Sequence, residues 1–212
     1  HLQETIHTSE SWDHPLGYGL QSITLNPDAI SNQHFEVQKL QARMPSGILV
    51  SLGAELNRLN LKTVLASQAE VRICLAIPRR SDSGANVGDP GPGNPLRFSA
   101  EPTQMCEDCA GGNSQDIELR RLNIRLVDST QSLPDHELLP IAQVKRSERE
   151  GGVELDTGYI PPSITMDAWP QLQAEFGRGI YDIIEARIDI LSRQVQRTGL
   201  IANDPRAFQR LL

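Results

Sequence analysis

The sequence predicts a mainly β protein, a β-sandwich followed by a long α-helix. Up to about residue 162, short segments alternate apolar and polar residues, and turn residues rather than clear helices separate them. From Ala168 to Thr198 the apolar residues instead recur every three or four positions, which is typical of an amphipathic helix. We therefore predict a β-sandwich domain over residues 1–162 and a helical part over 163–212 that is incomplete at its C-terminal end.

The strands of the first part follow from this alternation. Residues 1–15 are polar, and we expect them to form an N-terminal arm or a short helix. A strand that begins at Tyr18 ends at the turn signal Asn26-Pro27-Asp28. Within residues 35–44 the apolar positions change parity, which predicts a β-bulge near Lys39.

The clearest strand lies in the middle of the chain, at residues 71–77, where alternation is complete and a proline ends it. Before it, residues 53–68 fit a helical turn or an extended edge about equally well. After it, the Gly- and Pro-rich residues 79–95 predict a mobile surface loop. Residues 96–100 are expected to form a short strand and residues 102–114 a second loop.

The last strands of the sandwich surround two turns. Residues 117–126 read as one bulged strand, and the turn-rich residues 128–134 follow it. Residues 138–145 and 153–155 flank a charged turn and therefore predict a β-hairpin. Because aromatic residues make up only 4% of the chain, we expect a core of Leu, Ile and Val.

Charge argues against several classes of partner. The formal net charge is −7, and the acidic excess lies before Ser163, which disfavours a nucleic acid ligand. Arg120, Arg121 and Arg125 cluster beside Glu118 in an apolar strand pattern, which favours a salt-bridged sheet face. No apolar run is long enough to cross a bilayer, so we expect a soluble protein.

The pair Cys106 and Cys109, separated by Glu107 and Asp108, is the motif closest to a reactive site. Two thiolates at this spacing can bind zinc or exchange a disulfide, but zinc needs two more ligands and the chain has only one further cysteine, Cys74. Acidic neighbours also raise a thiol pKa. An inert loop is therefore the favoured interpretation, with a metal site shared with another chain and a redox pair as alternatives.

The remaining candidates for chemistry are histidines. His1, His7 and His14 recur every seven residues, but no helical pattern supports them, so a flexible arm is favoured over a metal site. His34 and His136 are expected at the surface. The sequence has no nucleophile elbow and no phosphate-binding loop. We therefore predict no catalytic, metal or cofactor site, no small-molecule substrate and no enzymatic activity.

The long helix carries the main candidate surface. Gly177 and Gly179 each weaken a helix interior, which predicts a kink or a close helix contact there. Gly199 is expected to end the helix, and Asp204-Pro205 to begin a return helix. The short return helix is too small to cover the stripe, so either further chain or copies of the protein must bury it. The predicted interface consists of Phe176, Ile180, Ile184, Ile188, Leu191 and Val195.

An ordered set of short motifs resembles a known family. The set comprises His1-Leu2-Gln3, Tyr18-Gly19-Leu20, Pro45-Ser46-Gly47, residues 121–126 (Arg-Leu-Asn-Ile-Arg-Leu), and Tyr159-Ile160-Pro161-Pro162 before the helix. The chain resembles, over nearly its whole length, the TssK family of trimeric baseplate proteins of bacterial type VI secretion, also called VasE or ImpJ. It departs from that family in having Pro-Ser-Gly where Pro-Asp-Gly is more usual, and in lacking the segment that precedes His1.

The resemblance implies a role as well as a fold. It implies a sandwich shell, similar to the shoulder domain of phage receptor-binding proteins, that docks on the wedge proteins TssF and TssG. The neck would assemble a homotrimer, and a head absent from this chain would reach the inner-membrane complex. The expected function is thus that of a cytoplasmic, non-catalytic structural adaptor. The alternatives are a phage-tail-like receptor-binding or adhesin protein and, third, an enzyme that uses Cys106 and Cys109.

Overall fold

The computed structural model describes residues 14–53, 56–88, 96–106, 114–147 and 152–198. The strands of these residues are β1 (Gly19–Leu25), β2 (His34–Phe35), β3 (Val37–Arg43), β4 (Leu49–Leu52), β5 (Leu59–Asn60), β6 (Glu70–Pro78), β7 (Val87–Gly88), β8 (Phe98–Cys106), β9 (Ser114–Leu122), β10 (Arg125–Asp128), β11 (His136–Arg146) and β12 (Val153–Leu155). The α-helices are α1 (Pro27–Ser31), α2 (Leu61–Ser67) and α3 (Arg178–Thr198). A 3-10 turn (Met166–Ala168) and a π-helical segment (Leu172–Gly177) precede α3.

Two sheets enclose the main core. One has three strands in the order β1-β3-β4, and the other has four in the order β10-β6-β11-β12. Apolar side chains from both sheets form a single buried cluster. Among the described residues, β2 and β5 form a smaller sheet, and a further sheet has three strands in the order β7-β8-β9. The predicted fold class, a mainly β sandwich followed by a long helix, is confirmed.

Strand β6 is buried because it lies between β10 and β11. Val71, Ile73 and Leu75 point into the main core and are at most 2% exposed. Cys74 and Ala76 pack on the opposite face, in a second small cluster. The alternation predicted for residues 71–77 is therefore confirmed, although the intervening positions are also buried where β6 is covered on both sides.

The bulge predicted near Lys39 is present. Leu25 of β1 pairs with Val37 of β3, whereas Thr24 pairs with Lys39, so Gln38 is an extra residue in β3. An extra residue rotates the strand by one position, which lets apolar residues before and after it face the same core.

The ambiguous stretch before β6 contains a short helix. Asn60 caps α2, because its side-chain oxygen accepts a hydrogen bond from the backbone N–H of Lys62 at 3.0 Å. Leu61 and Leu65, one helical turn apart, both pack into the main core. Residues 61–67 thus take the helical alternative, and Leu59–Asn60 the extended one.

The loop predicted at residues 102–114 is wrong at both ends. Residues 102–106 continue β8, and Ser114 begins β9, with which β8 pairs in antiparallel register. The side chains of residues 101–104 are exposed or half-buried and show no apolar alternation, so the sequence does not reveal this part of the hairpin. Pro102 is tolerated because β7 pairs only with the first two residues of β8, which leaves Pro102 with a strand on one side.

Two further predictions need correction. The segment 117–126 is two strands rather than one, since β9 ends at Leu122 and β10 belongs to a different sheet. Between them, the Asn123 N–H donates to the Arg97 carbonyl at 3.0 Å, which turns the chain. Residues 79–95 are predicted to form a surface loop, but Val87–Gly88 within them pairs in parallel with β8. The hairpin of β11 and β12 is confirmed.

The junction between the sandwich and the helix runs along β1. The Leu20 N–H donates to the Pro162 carbonyl at 2.8 Å, and the Ile164 N–H donates to the Leu20 carbonyl at 2.7 Å. Gly19 has φ +140°, and a Cβ there would lie 2.5 Å from the Pro162 oxygen. Beyond this contact, Trp169 is buried in the sandwich core. The division of the chain into domains at residue 162 remains a prediction.

Candidate protein interaction surface

A continuous helical run begins at Pro170 and reaches Thr198, close to the predicted bounds. Its first part, Leu172–Gly177, is π-helical. A π-helical segment is a local distortion of an α-helix that often marks a functional position. The π-helical segment ends at Gly177, close to where Gly177 and Gly179 predict a kink or a close helix contact. Gly199 and the predicted return helix lie outside the described residues.

The predicted interface side chains are largely exposed. Their exposed fractions are 49% for Phe176, 53% for Ile180, 53% for Ile184, 56% for Ile188 and 41% for Val195, and Leu191 is half-buried. All the remaining side chains from Ile180 to Gln196 are exposed as well. The described part of the chain therefore brings no element over this stretch of α3.

Sequence reasoning missed a second group of apolar side chains on the same helix. Tyr181, Ile183 and Ile190 are 67%, 71% and 47% exposed. At 3.6 residues per turn, Ile183 and Ile190 lie on one flank of the predicted stripe and Tyr181 on the other, so the apolar arc covers about half the helix. The seven-residue spacing of Ile183 and Ile190 was the available signal. An arc this wide can contact more than one neighbouring helix.

The opposite face of α3 is charged. Asp182, Glu185, Asp189 and Arg193 share this side, and Arg193 lies 3.8 Å from Asp189 one turn earlier. An exposed pair at this spacing stabilises a helix by only about 0.3–0.5 kcal/mol. These charged side chains keep one face of the helix solvated, and the apolar arc lies on the other face, where Arg187, one turn from Ile184 and Leu191, is also exposed.

The cysteine and histidine candidates do not come together in the described residues. In that part of the chain no group of three His, Cys, Asp or Glu side chains could hold a metal ion. Cys74 is buried, and burial raises the pKa of its thiol to about 11, so it is unreactive at neutral pH. Cys106 is the last residue of β8, although the sequence predicts it within a loop. Cys109, His1 and His7 lie outside the described residues.

The single histidines have separate settings. His14 and His34 are exposed, and the His34 Nδ1 lies 2.8 Å from the Asn32 carbonyl. His136 begins β11, where burial and the nearby Arg125 guanidinium lower its pKa. The surface position predicted for His34 is confirmed, whereas His136, also predicted at the surface, is half-buried.

A buried arginine ties the Pro45-Ser46-Gly47 turn to the sandwich. Arg97 is 2% exposed and donates to the Pro78 carbonyl at 2.9 Å and to the Ser46 Oγ at 3.0 Å. The Glu137 carboxylate lies 3.6 Å from the same guanidinium and accepts a hydrogen bond from the Ser46 N–H. These contacts place a carboxylate and two hydrogen-bond acceptors beside the buried charge and hold three distant segments together, which is a structural role.

The predicted salt-bridged face is present in part. Arg121 lies 3.3 Å from Glu101 of the neighbouring strand β8. The Arg120 guanidinium instead lies over the Phe98 ring, 5.5 Å from its centroid. Arg125 belongs to β10, in a different sheet from the other two arginines. The cluster in sequence is therefore divided between two sheets.

Comparison with known proteins identifies the family. The family model described as bacterial type VI secretion, VC_A0110, EvfL, ImpJ, VasE matches residues 1–211. The chain belongs to this family. This match confirms the resemblance to the TssK family that the short motifs indicate. No curated protein matches the sequence.

Solved structures share the VasE-family fold. A chain of the TssK–TssF–TssG baseplate subcomplex of a type VI secretion system superposes with a TM-score of 0.76 at 21% identity, covering 89% of this chain and 63% of that chain. A crystal structure of TssK gives a TM-score of 0.77 at 17% identity, covering 91% of this chain and 44% of that chain. A type VI baseplate complex gives 0.72 at 20% identity, with coverages of 97% and 49%.

This chain therefore spans between 44% and 63% of the length of these chains. In its described residues, no helix is both long enough and apolar enough to serve as a membrane span.

Proposed function

We propose that this chain is a non-catalytic structural adaptor of a type VI secretion baseplate. In this role, residues 1–162 form the shell that docks on the wedge proteins TssF and TssG, and residues 163–212 form the first part of a neck. Membership of the VasE family and the similar chain found with TssF and TssG support the role. The observation that carries it is the exposed apolar arc of α3, since a helix of this kind serves assembly rather than chemistry.

The neck is proposed to assemble a homotrimer in the full-length protein. Phe176, Ile180, Ile184, Ile188, Leu191 and Val195 would form its interface. The width of the apolar arc supports this arrangement, because a helix in a three-stranded bundle contacts two sister helices. A C-terminal head would connect the baseplate to the membrane complex, and the adaptor would act on the cytoplasmic side of the machine.

Docking on the wedge proteins is tested by reconstitution. The full-length protein is expected to co-elute with purified TssF and TssG of the same system in one peak on size-exclusion chromatography. The Ile184→Asp variant should retain some binding to TssF and TssG, because the shell rather than the neck makes the proposed contact. Elution of a correctly folded protein apart from both wedge proteins would remove this role.

Trimerisation is a separate prediction. Ile184→Asp and Ile188→Asp should each weaken assembly by roughly a thousandfold, because an unpaired charge buried in a helix interface costs several kcal/mol. Sedimentation velocity of the full-length protein would then show monomers at concentrations where the unaltered protein is trimeric. Gln196→Asp adds the same charge to the polar face, where the side chain is exposed, and should leave the mass unchanged. Trimers of normal stability in both isoleucine variants would contradict the proposed interface.

A further inference from the structure

The outer edge of strand β4 has backbone groups that pair with no other strand of the described residues. β4 is the last strand of its sheet, and the Met44 N–H donates to the Ile48 carbonyl at 2.8 Å where the β3–β4 hairpin closes. Bonded and non-bonded pairs alternate along antiparallel strands, so the N–H and C=O groups of Leu49 and Ser51 point away from β3. Among the described residues, none makes a backbone hydrogen bond to these groups.

A groove lies along this edge. Its volume is about 500 Å³, and its walls are β4, Leu56 and residues 120–124. Leucine and isoleucine side chains supply much of the lining, and Leu49 is 57% exposed. The β4 sequence Leu-Val-Ser-Leu contains no proline or charge. Natural edge strands are commonly protected by such residues, so this edge is open to pairing with another strand.

The rim of the groove is positively charged. Arg120 and Arg121 both line it, although the whole chain has a net charge of −7. Arg121 contacts the exposed Glu101 at 3.3 Å. Arg120 lies over Phe98, and in the described residues no carboxylate comes within salt-bridge distance of it. The rim therefore complements an acidic side chain on a bound segment.

We propose that the β4 edge binds an extended segment of a partner protein as an added strand. Backbone groups of the segment would pair with Leu49 and Ser51, and its apolar residues would alternate with acidic ones that reach Arg120. Side chains alternate in a strand, so one register places every apolar residue on the same side. The β4 edge is distinct from the neck. The proposal for this edge does not depend on whether TssF or TssG is the partner.

The test follows amide hydrogen exchange at single residues in the full-length protein. The probe is a capped peptide, Val-Asp-Val-Glu-Val-Asp-Val, and its control has lysine at each acidic position. Without peptide, the Leu49 and Ser51 amides should exchange rapidly. The acidic peptide should slow both by about tenfold or more, because paired amides are protected, and the lysine peptide should not. Val50, already paired with β3, is the internal reference.

Two sets of variants separate the backbone contact from the charge. Ser51→Pro removes one outward N–H and should abolish peptide binding, whereas Ser51→Ala should retain it. Arg120→Glu leaves the edge intact and should reverse the preference between the two peptides, so the test does not depend on the proline variant folding. Protection of Leu49 and Ser51 without peptide would show the edge already paired, by this chain or a second copy, and would overturn the proposal. Absence of protection by the acidic peptide at about 1 mM, the weak end of specific binding, would also overturn it.

Discussion

Trp169→Ala is expected to lower the free energy of unfolding by about 3–5 kcal/mol, the usual cost of removing a large buried aromatic side chain. Trp169 is 1% exposed and is among the largest fully buried side chains of the described chain. It packs with Ala168 in the sandwich core, immediately before the helical run. Its loss would therefore leave a cavity at the point where the helix joins the sandwich.

Equilibrium unfolding in urea, followed by circular dichroism, measures this change. Trp169→Phe should cost far less than the alanine variant, because phenylalanine fills most of the space and the indole N–H has no hydrogen-bond partner among the described residues. Tyr181→Ala, at a side chain 67% exposed, should change stability by at most about 0.5 kcal/mol in a monomer. A loss below about 1 kcal/mol in Trp169→Ala would show that the indole is not a core residue.

Gly19→Ala is expected to lower the free energy of unfolding by roughly 3 kcal/mol. Two effects add: a positive φ strains any residue with a Cβ, and the new Cβ overpacks the backbone it meets. At Gly19 φ is +140°, and the Cβ would lie 2.5 Å from the Pro162 carbonyl oxygen. That contact is with backbone, so no side-chain rotation can relieve it.

Gly179→Ala is the matched control. Gly179 is in α3, and a Cβ there would meet nothing within 4 Å. Alanine favours the helix by about 1 kcal/mol over glycine, so this variant should be stabilised while Gly19→Ala is destabilised. Thermal unfolding of the two proteins side by side gives the comparison. Equal midpoints would contradict the close approach of β1 and Pro162.

Elements with a regular apolar period could be predicted from the sequence. Alternation marks strand β6 and the β11–β12 hairpin, and helical spacing marks α3. Residues 102–106 of β8 carry no alternating apolar side chains, so their backbone pairing with β9 leaves no trace in the sequence pattern. At the break between β9 and β10 the pattern misleads in another way, because Leu122, Ile124 and Leu126 alternate across it and so predict one continuous strand.

The candidate surface was foreseen in part. Helical spacing predicts the stripe through Ile180, Ile184 and Ile188, but a single stripe does not include the exposed flank with Ile183 and Ile190. The β4 groove could not be predicted, because it depends on how two sheets lie beside each other. The contacts of Arg97 also join residues that are far apart in sequence.

The junction at Gly19 and Trp169 also has a mechanical consequence. From Pro170 to Thr198 the helix acts as a lever arm about 43 Å long, at 1.5 Å rise per residue. A tilt of about 5° at its base would displace its far end by about 4 Å, enough to lose side-chain packing with a neighbouring helix. The backbone bonds to β1 and the buried indole set the angle at that base. Small changes inside the sandwich would therefore be amplified at the tip of the helix.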